Sequence, residues 1–165
     1  PRSRSGVPAG RGSTIAAAPA DSPVPFVNVP TPGAAHTGFG VDWPIVPEAL
    51  TDLLVDFHER YGKSLPSIVI AENGASFPEP DAVTGPIDDA DRIAYIAGHI
   101  AALERARELG VRVDGYTVWS LLDNFEWADG FTQRFGLVHV NQATGERTPK
   151  ASFDWYRTHI EEAAR

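Results

Sequence analysis

A chain of 165 residues with 42% apolar content is long enough for one domain with a buried core. Its formal charge of -8 argues against a surface for nucleic acid or an anionic membrane, and no apolar run is long enough to span a bilayer. The lack of cysteine excludes disulfides and thiol chemistry; the lack of methionine, with a start at Pro1-Arg2, is expected of a processed chain or of a piece of something longer.

Residues 1–36 are rich in Pro, Gly, Ala and Ser, with few large apolar side chains. Proline recurs too often in "APADSPVPFVNVPTPGAAH" for a helix, so this stretch is expected to be a long irregular loop, ordered only where something covers it. Arg2, Arg4 and Arg11 before "GSTIAAAPA" have the charge of a secretory leader but not its apolar run. The cytoplasm is the expected location, with secretion left open. Residues 37–165 form the expected folded domain.

From Phe39 the character changes. "GVDWPIVPEALTDLLVDFHERYG" predicts a helix over residues 47–61: Pro47 suits the first helical position, Glu48 the positive end of the dipole, and Gly62 the stop. Leu50, Leu53, Leu54, Phe57 and Tyr61 make its apolar stripe. Ile68, Val69 and Ile70 predict a strand buried on both faces, as in a parallel sheet. A loop leads to a second helix over 89–109, with Ile93, Ile96, Ile100 and Leu103 inward and Gly110 at its end. A strand over 113–120 then breaks into a polar-aromatic loop. "FGLVHVN" is a shorter strand, and Thr148-Pro149 is expected to cap a final helix that buries Phe153, Tyr156 and Ile160. The order predicts an α/β fold with parallel strands. Two main strands cannot close a barrel, so the pattern reads as the last quarter to third of something larger.

In α/β folds, reacting groups gather at the carboxyl ends of strands. One strand here ends in Glu72-Asn73-Gly74; the next ends in Trp119, followed by Asp123-Asn124-Phe125-Glu126-Trp127. Taken singly, these residues have ordinary explanations: a capping glutamate, a core tryptophan, a pair of turn formers. Together at successive strand ends they suit a sugar, because indole faces stack on pyranose C–H groups and carboxylates accept from its hydroxyls.

"IAENG" followed by "YTVWSLLDNFEWADGFTQRFGLVHV" closely resembles glycoside hydrolase family 1, the β-glucosidases and β-glycosidases of the (β/α)8 TIM barrel. The resemblance runs from about Phe39 to Ile160 and includes "WPIVPEAL", "DDADRIAYIAGHI" and "TPKASFDWYRTHI". It implies the carboxyl-terminal part of such a barrel, strands seven and eight with flanking helices and not a complete barrel. It implies Glu72 as the catalytic nucleophile, Glu126 as acceptor from the sugar's 4- and 6-hydroxyls, Trp119 as platform under the ring, Trp127 as donor to the 3-hydroxyl, and Phe135 as a lining aromatic. Asn73 and Gly74 are expected to shape the turn that aims Glu72. No metal and no organic cofactor are implied.

Retaining hydrolysis needs a second carboxyl group about 5–5.5 Å from the first. The family carries it in a Thr-x-Asn-Glu-Pro-type motif, and the one Glu-Pro here, Glu79-Pro80, follows Pro78 in a loop with no strand before it. The acid/base is therefore expected to be absent from this chain. The implied full enzyme hydrolyses terminal β-D-glucosides or oligosaccharides, with β-galactosides and β-fucosides left open, and needs the missing amino-terminal part of the barrel as its partner. The rival expectations are a non-catalytic carbohydrate-binding fragment and one partner of a split barrel.

Overall fold

The computed structural model describes residues 31–79, 85–127 and 129–165; most of the expected amino-terminal loop lies outside them. In chain order the elements are strands β1 (His36–Thr37) and β2 (Gly40–Pro44), helix α1 (Glu48–Tyr61), strand β3 (Ile68–Asn73), helix α2 (Ala90–Glu108), strands β4 (Val113–Val118), β5 (Val138–Val140) and β6 (Arg147–Pro149), and helix α3 (Ala151–Ala163).

The helices start and stop where local chemistry dictates. Pro47 holds φ at -56° just before α1 and Glu48 lies in its first turn, while Gly62 leaves α1 at φ +52°, a conformation that a side chain disfavours. Only Leu50 and Leu54 of the expected α1 stripe turn inward; Leu53, Phe57 and Tyr61 are exposed. The true inner face pairs Leu54 with Thr51, whose hydroxyl donates to the Ala102 carbonyl of α2 at 2.8 Å. On α2, Ile96 and Leu103 are buried as expected, together with Arg92, His99, Ala102 and Ala106.

The core is Leu54, Leu103, Ala106, Val111 and Val113, with Leu50, Val55, Ile68, Ile70 and Tyr116 packed against it. It lies between the α1–α2 pair and one face of the β3–β4 sheet. These two strands run parallel, joined through α2, with Val69 opposite Gly115 and Asn73 opposite Val118. They pair only with each other among the described residues, so the sheet is open. The expectation that β3 is buried on both faces is corrected: Ile68 and Ile70 turn to the core, but Val69 is 58% exposed on the other face. That face is uncovered because β3 and β4 form an open two-stranded sheet among the described residues.

The chain's end also differs from expectation. Thr148-Pro149 does not cap the last helix; it closes β6, which pairs antiparallel with β5, and Lys150 takes the cap position of α3. Of the three side chains expected to be buried by α3, Phe153 and Tyr156 are half-buried and Ile160 is exposed. β1 and β2, unforeseen, form an antiparallel pair leading into α1. No helix among the described residues is long and apolar enough to cross a membrane.

Candidate active site

The parallel pairing of β3 and β4 puts the ends of the two strands side by side. The Trp119 amide donates to the Asn73 carbonyl at 2.9 Å, so Trp119 abuts the segment that carries Glu72. Contact here is closer than any side chain allows: a Cβ on Gly74 would lie 1.7 Å from the Trp119 carbonyl oxygen. That is why glycine follows Glu72-Asn73. The Trp119–Ser120 peptide is cis. Glu72 is exposed on the open face of the sheet, and Trp119 is 39% exposed.

Asn73 points the other way, into a polar knot beneath the strand ends. Its Oδ1 accepts from the Tyr116 hydroxyl at 2.7 Å, and its Nδ2 donates to the Tyr95 hydroxyl at 3.5 Å. Burial, more than the neighbouring Tyr95 and Tyr156, pushes the Tyr116 phenol well up, so it serves as a neutral donor. Burial also lowers His99, opposed by the Tyr95 carbonyl 2.8 Å from its Nδ1 and by Glu48.

Beyond Trp119 the chain folds back on itself. Ser120 donates its amide to Phe135 at 3.3 Å and accepts from the Leu137 amide at 2.9 Å. Glu126 and Gly130 exchange backbone hydrogen bonds at 2.6 Å, making a tight turn on which Trp127 stands 89% exposed. Glu126 is half-buried. Phe135, also half-buried, lies 5.9 Å from Phe39, which stacks on Trp43 at 5.0 Å. These three aromatics, with Gly74, Ala75 and Tyr95, line a cavity of about 440 Å³. Phe39 and Trp43 are not singled out by the sequence alone; two aromatics four apart in a short β-capable stretch were the available signal.

The structure thus brings Glu72, Trp119 and Phe135 to one end of the sheet and hangs Glu126 and Trp127 on the adjoining turn. Glu79 belongs elsewhere. Its carboxylate is 4% exposed, held at 2.6 Å by Arg92 Nη2 and at 2.6 Å by Lys150 Nζ. Asp123 shares the Lys150 ammonium at 3.2 Å and accepts from the Gly136 amide at 2.8 Å. The His139 Nδ1 lies 3.7 Å from Glu79 Oε2 and 3.5 Å from Asp123 Oδ2. Glu79, Asp123 and His139 converge as metal ligands do, but the ammonium of Lys150 already stands between the two carboxylates as their cation. Burial, and then Arg92, lower the Lys150 pKa; Glu79 and Asp123 oppose them. Glu79 is thus held inside this buried cluster by two cations, whereas Glu72 stands exposed at the strand end.

Comparison with known proteins accords with this geometry. Residues 21–164 match the family model described as Glycosyl hydrolase family 1. The chain is 49% identical over 115 residues to beta-glucosidase A of Acetivibrio thermocellus, covering 70% of this chain and 25% of that protein. It is 44% identical over 136 residues to a bifunctional beta-D-glucosidase/beta-D-fucosidase of Bifidobacterium breve, covering 80% and 28%. It is similar to the crystal structure of a psychrophilic beta-glucosidase from Micrococcus antarcticus, with a TM-score of 0.74 and 42% identity over 81% of this chain and 28% of that one. The chain spans about a quarter of the length of the curated relatives it matches.

Proposed function

The chain belongs to glycosyl hydrolase family 1, as the carboxyl-terminal part of its (β/α)8 barrel with β3 and β4 as strands seven and eight, and on that premise we propose that the whole protein is a retaining β-glucosidase with Glu72 as nucleophile. The observation that carries the reading is the position of Glu72 at the carboxyl end of β3, exposed, with Trp119 hydrogen-bonded beside it at the end of β4. In the first step the Glu72 carboxylate attacks the anomeric carbon and forms a glycosyl ester. The bond to the aglycone oxygen breaks as an acid elsewhere in the barrel donates a proton to it. In the second step the same group, now a base, takes a proton from water, which attacks the anomeric carbon and releases Glu72. Two displacements give net retention.

Trp119 stacks on the sugar, Glu126 accepts from its 4- and 6-hydroxyls, Trp127 donates to its 3-hydroxyl, and Phe135 closes the apolar side. The substrates are terminal β-D-glucosides, and β-fucosides too, by analogy with the Bifidobacterium breve relative, whose name carries both sugars. A purely sugar-binding module leaves Glu72 without a task, which favours the catalytic reading. This chain holds neither the acid/base nor the residues that grip the sugar from earlier strands, so alone it is expected to be inactive. Aryl β-glucoside turnover by the purified chain at the rate of an intact enzyme contradicts that.

The test uses a complete barrel, with residues 31–165 replacing the matching segment of the Acetivibrio thermocellus relative. Proton NMR during hydrolysis should show the β-anomer of glucose first, before mutarotation. First appearance of the α-anomer, or no hydrolysis by a folded hybrid, overturns the proposal.

A further inference from the structure

Arg92 is 1% exposed, although it carries a full charge and stands at the start of α2. A guanidinium carries five N–H bonds, and here every one has an acceptor. Nε donates to Asp89 Oδ2 at 2.9 Å; Nη1 donates to the carbonyls of Ala75 at 2.7 Å and Phe135 at 3.2 Å; Nη2 donates to Glu79 Oε1 at 2.6 Å and to the Arg134 carbonyl at 2.9 Å. Its plane also lies against the Phe77 ring, 5.5 Å from the centroid.

Two of the three carbonyls are informative by where they sit. Ala75 is three residues past Glu72 and next to Gly74, where β3 touches Trp119. Phe135 lines the aromatic cavity, and its carbonyl is shared with the Ser120 amide. One rigid, planar group therefore spans both walls of the site, the wall that carries the nucleophile and the wall that carries Phe135. The two carboxylates behind it are themselves fixed. Asp89 accepts from the amide and hydroxyl of Ser152 at 2.8 Å and 2.6 Å, and Glu79 is pinned by Lys150. A buried ion cluster is a poor way to gain stability, since well-packed apolar groups do as well. What it supplies is direction: hydrogen bonds with fixed angles to chosen carbonyls.

The geometry points to Arg92 as a positioning residue for the proposed glycosidase reaction, a joint that holds the segment following Glu72 and the segment of Arg134 and Phe135 at a fixed separation. It touches neither sugar nor reacting atoms. The inference rests on the proposed function for its effect on rate and on the hydrogen bonds alone for its effect on rigidity, so two readouts separate them.

The decisive variant is Arg92→Lys in the complete hybrid barrel. Lysine keeps the charge but has three N–H bonds and no plane, so it cannot reach all five acceptors. Active sites are counted by the burst of aglycone release, which removes any loss of folded protein from the comparison. The expected result is a fall in kcat per counted site of about 10²-fold, as a misplacement near 1 Å produces, with KM within about threefold of the parent. Amide hydrogen exchange at Arg134 and Ser120, which donate to Ser76 Oγ and the Phe135 carbonyl, should quicken at least tenfold, while the β5–β6 pair keeps its protection. A kcat per counted site within about threefold of the parent, or unchanged exchange at Arg134 and Ser120, overturns the assignment. Should the parent hybrid fold but not hydrolyse, the functional reading fails, and the exchange result alone decides whether Arg92 is the joint. Should Arg92→Lys not fold, Arg92→Ala is read instead with added guanidinium at concentrations too low to denature. A saturable gain in kcat, or in Arg134 and Ser120 protection, upholds the joint; no gain over sodium chloride overturns it.

Discussion

Replacing Gly74 with alanine in the complete barrel should cost far more than a methyl group on a loop ordinarily does. The added Cβ would fall 1.7 Å from the Trp119 carbonyl oxygen and 2.8 Å from its carbonyl carbon. Unstrained heavy atoms sit near 3.5 Å apart, so the ends of β3 and β4 must part by roughly 2 Å. Both partners are backbone, and neither can rotate aside. Overpacking of this kind costs about 1–3 kcal/mol of stability. The larger effect falls on the site, because the contact sets the distance between Glu72 and Trp119, and a displacement of about 1 Å costs on the order of 10²-fold in rate. The assay is aryl β-glucoside hydrolysis normalised to the aglycone burst. Gly85→Ala serves as control, since a Cβ there meets nothing within 4 Å. If Gly74→Ala keeps kcat within about threefold of the control, the close approach of the strand ends does not position the site and the reasoning fails.

Three further predictions concern single side chains in the same barrel. Glu72→Ala should lower kcat on the order of 10⁵-fold or more, as loss of a covalent nucleophile does elsewhere, with affinity for the sugar little changed; azide or formate should restore turnover and give an α-configured adduct, and a β-configured one counts against the assignment. Glu126→Ala should raise KM about 10- to 100-fold and lower kcat as well, because charge-assisted hydrogen bonds of about 1.5–3 kcal/mol are lost from bound substrate and transition state alike; an unchanged KM contradicts its place on the sugar. His99 titrates in the folded state below its ordinary value of 6.5, chiefly through burial, so its contribution to stability is complete above 6.5 and is lost as the pH falls. Urea unfolding should therefore show a loss of stability below that pH which His99→Gln reduces, and equal acid slopes in parent and variant would refute it.

Much of the candidate site was legible because its residues stand out in combination. A carboxylate and an amide closing a β-branched run, and an indole followed by Asp-Asn-Phe-Glu-Trp at the next strand end, are ordinary singly but stand out together, and the structure sets those two ends side by side. Helix boundaries were legible too: Pro47, Gly62 and Gly110 are punctuation with a fixed backbone meaning. What stayed hidden depended on partners distant in sequence. Thr51 is buried because Ala102 of α2 offers it a carbonyl, and Arg92 and Lys150, whose charges suit solvent, are buried because three carboxylates from three segments meet them. Glu79 illustrates the limit from the other side. Its Glu-Pro context lacks the preceding asparagine and strand, and the structure shows what it does instead, which is to join two cations at 2.6 Å in a buried cluster.

The central claim is that Glu72 becomes covalently glycosylated. It is tested most directly by quenching the complete barrel during turnover of a substrate whose second step is slow, followed by proteolysis and mass spectrometry. The account predicts one hexosyl increment on the peptide that contains "SIVIAENGAS", fragmenting to Glu72, and its loss in Glu72→Ala. A hexosyl increment on the peptide bearing Glu126, or none on any peptide while a burst of aglycone is observed, contradicts it.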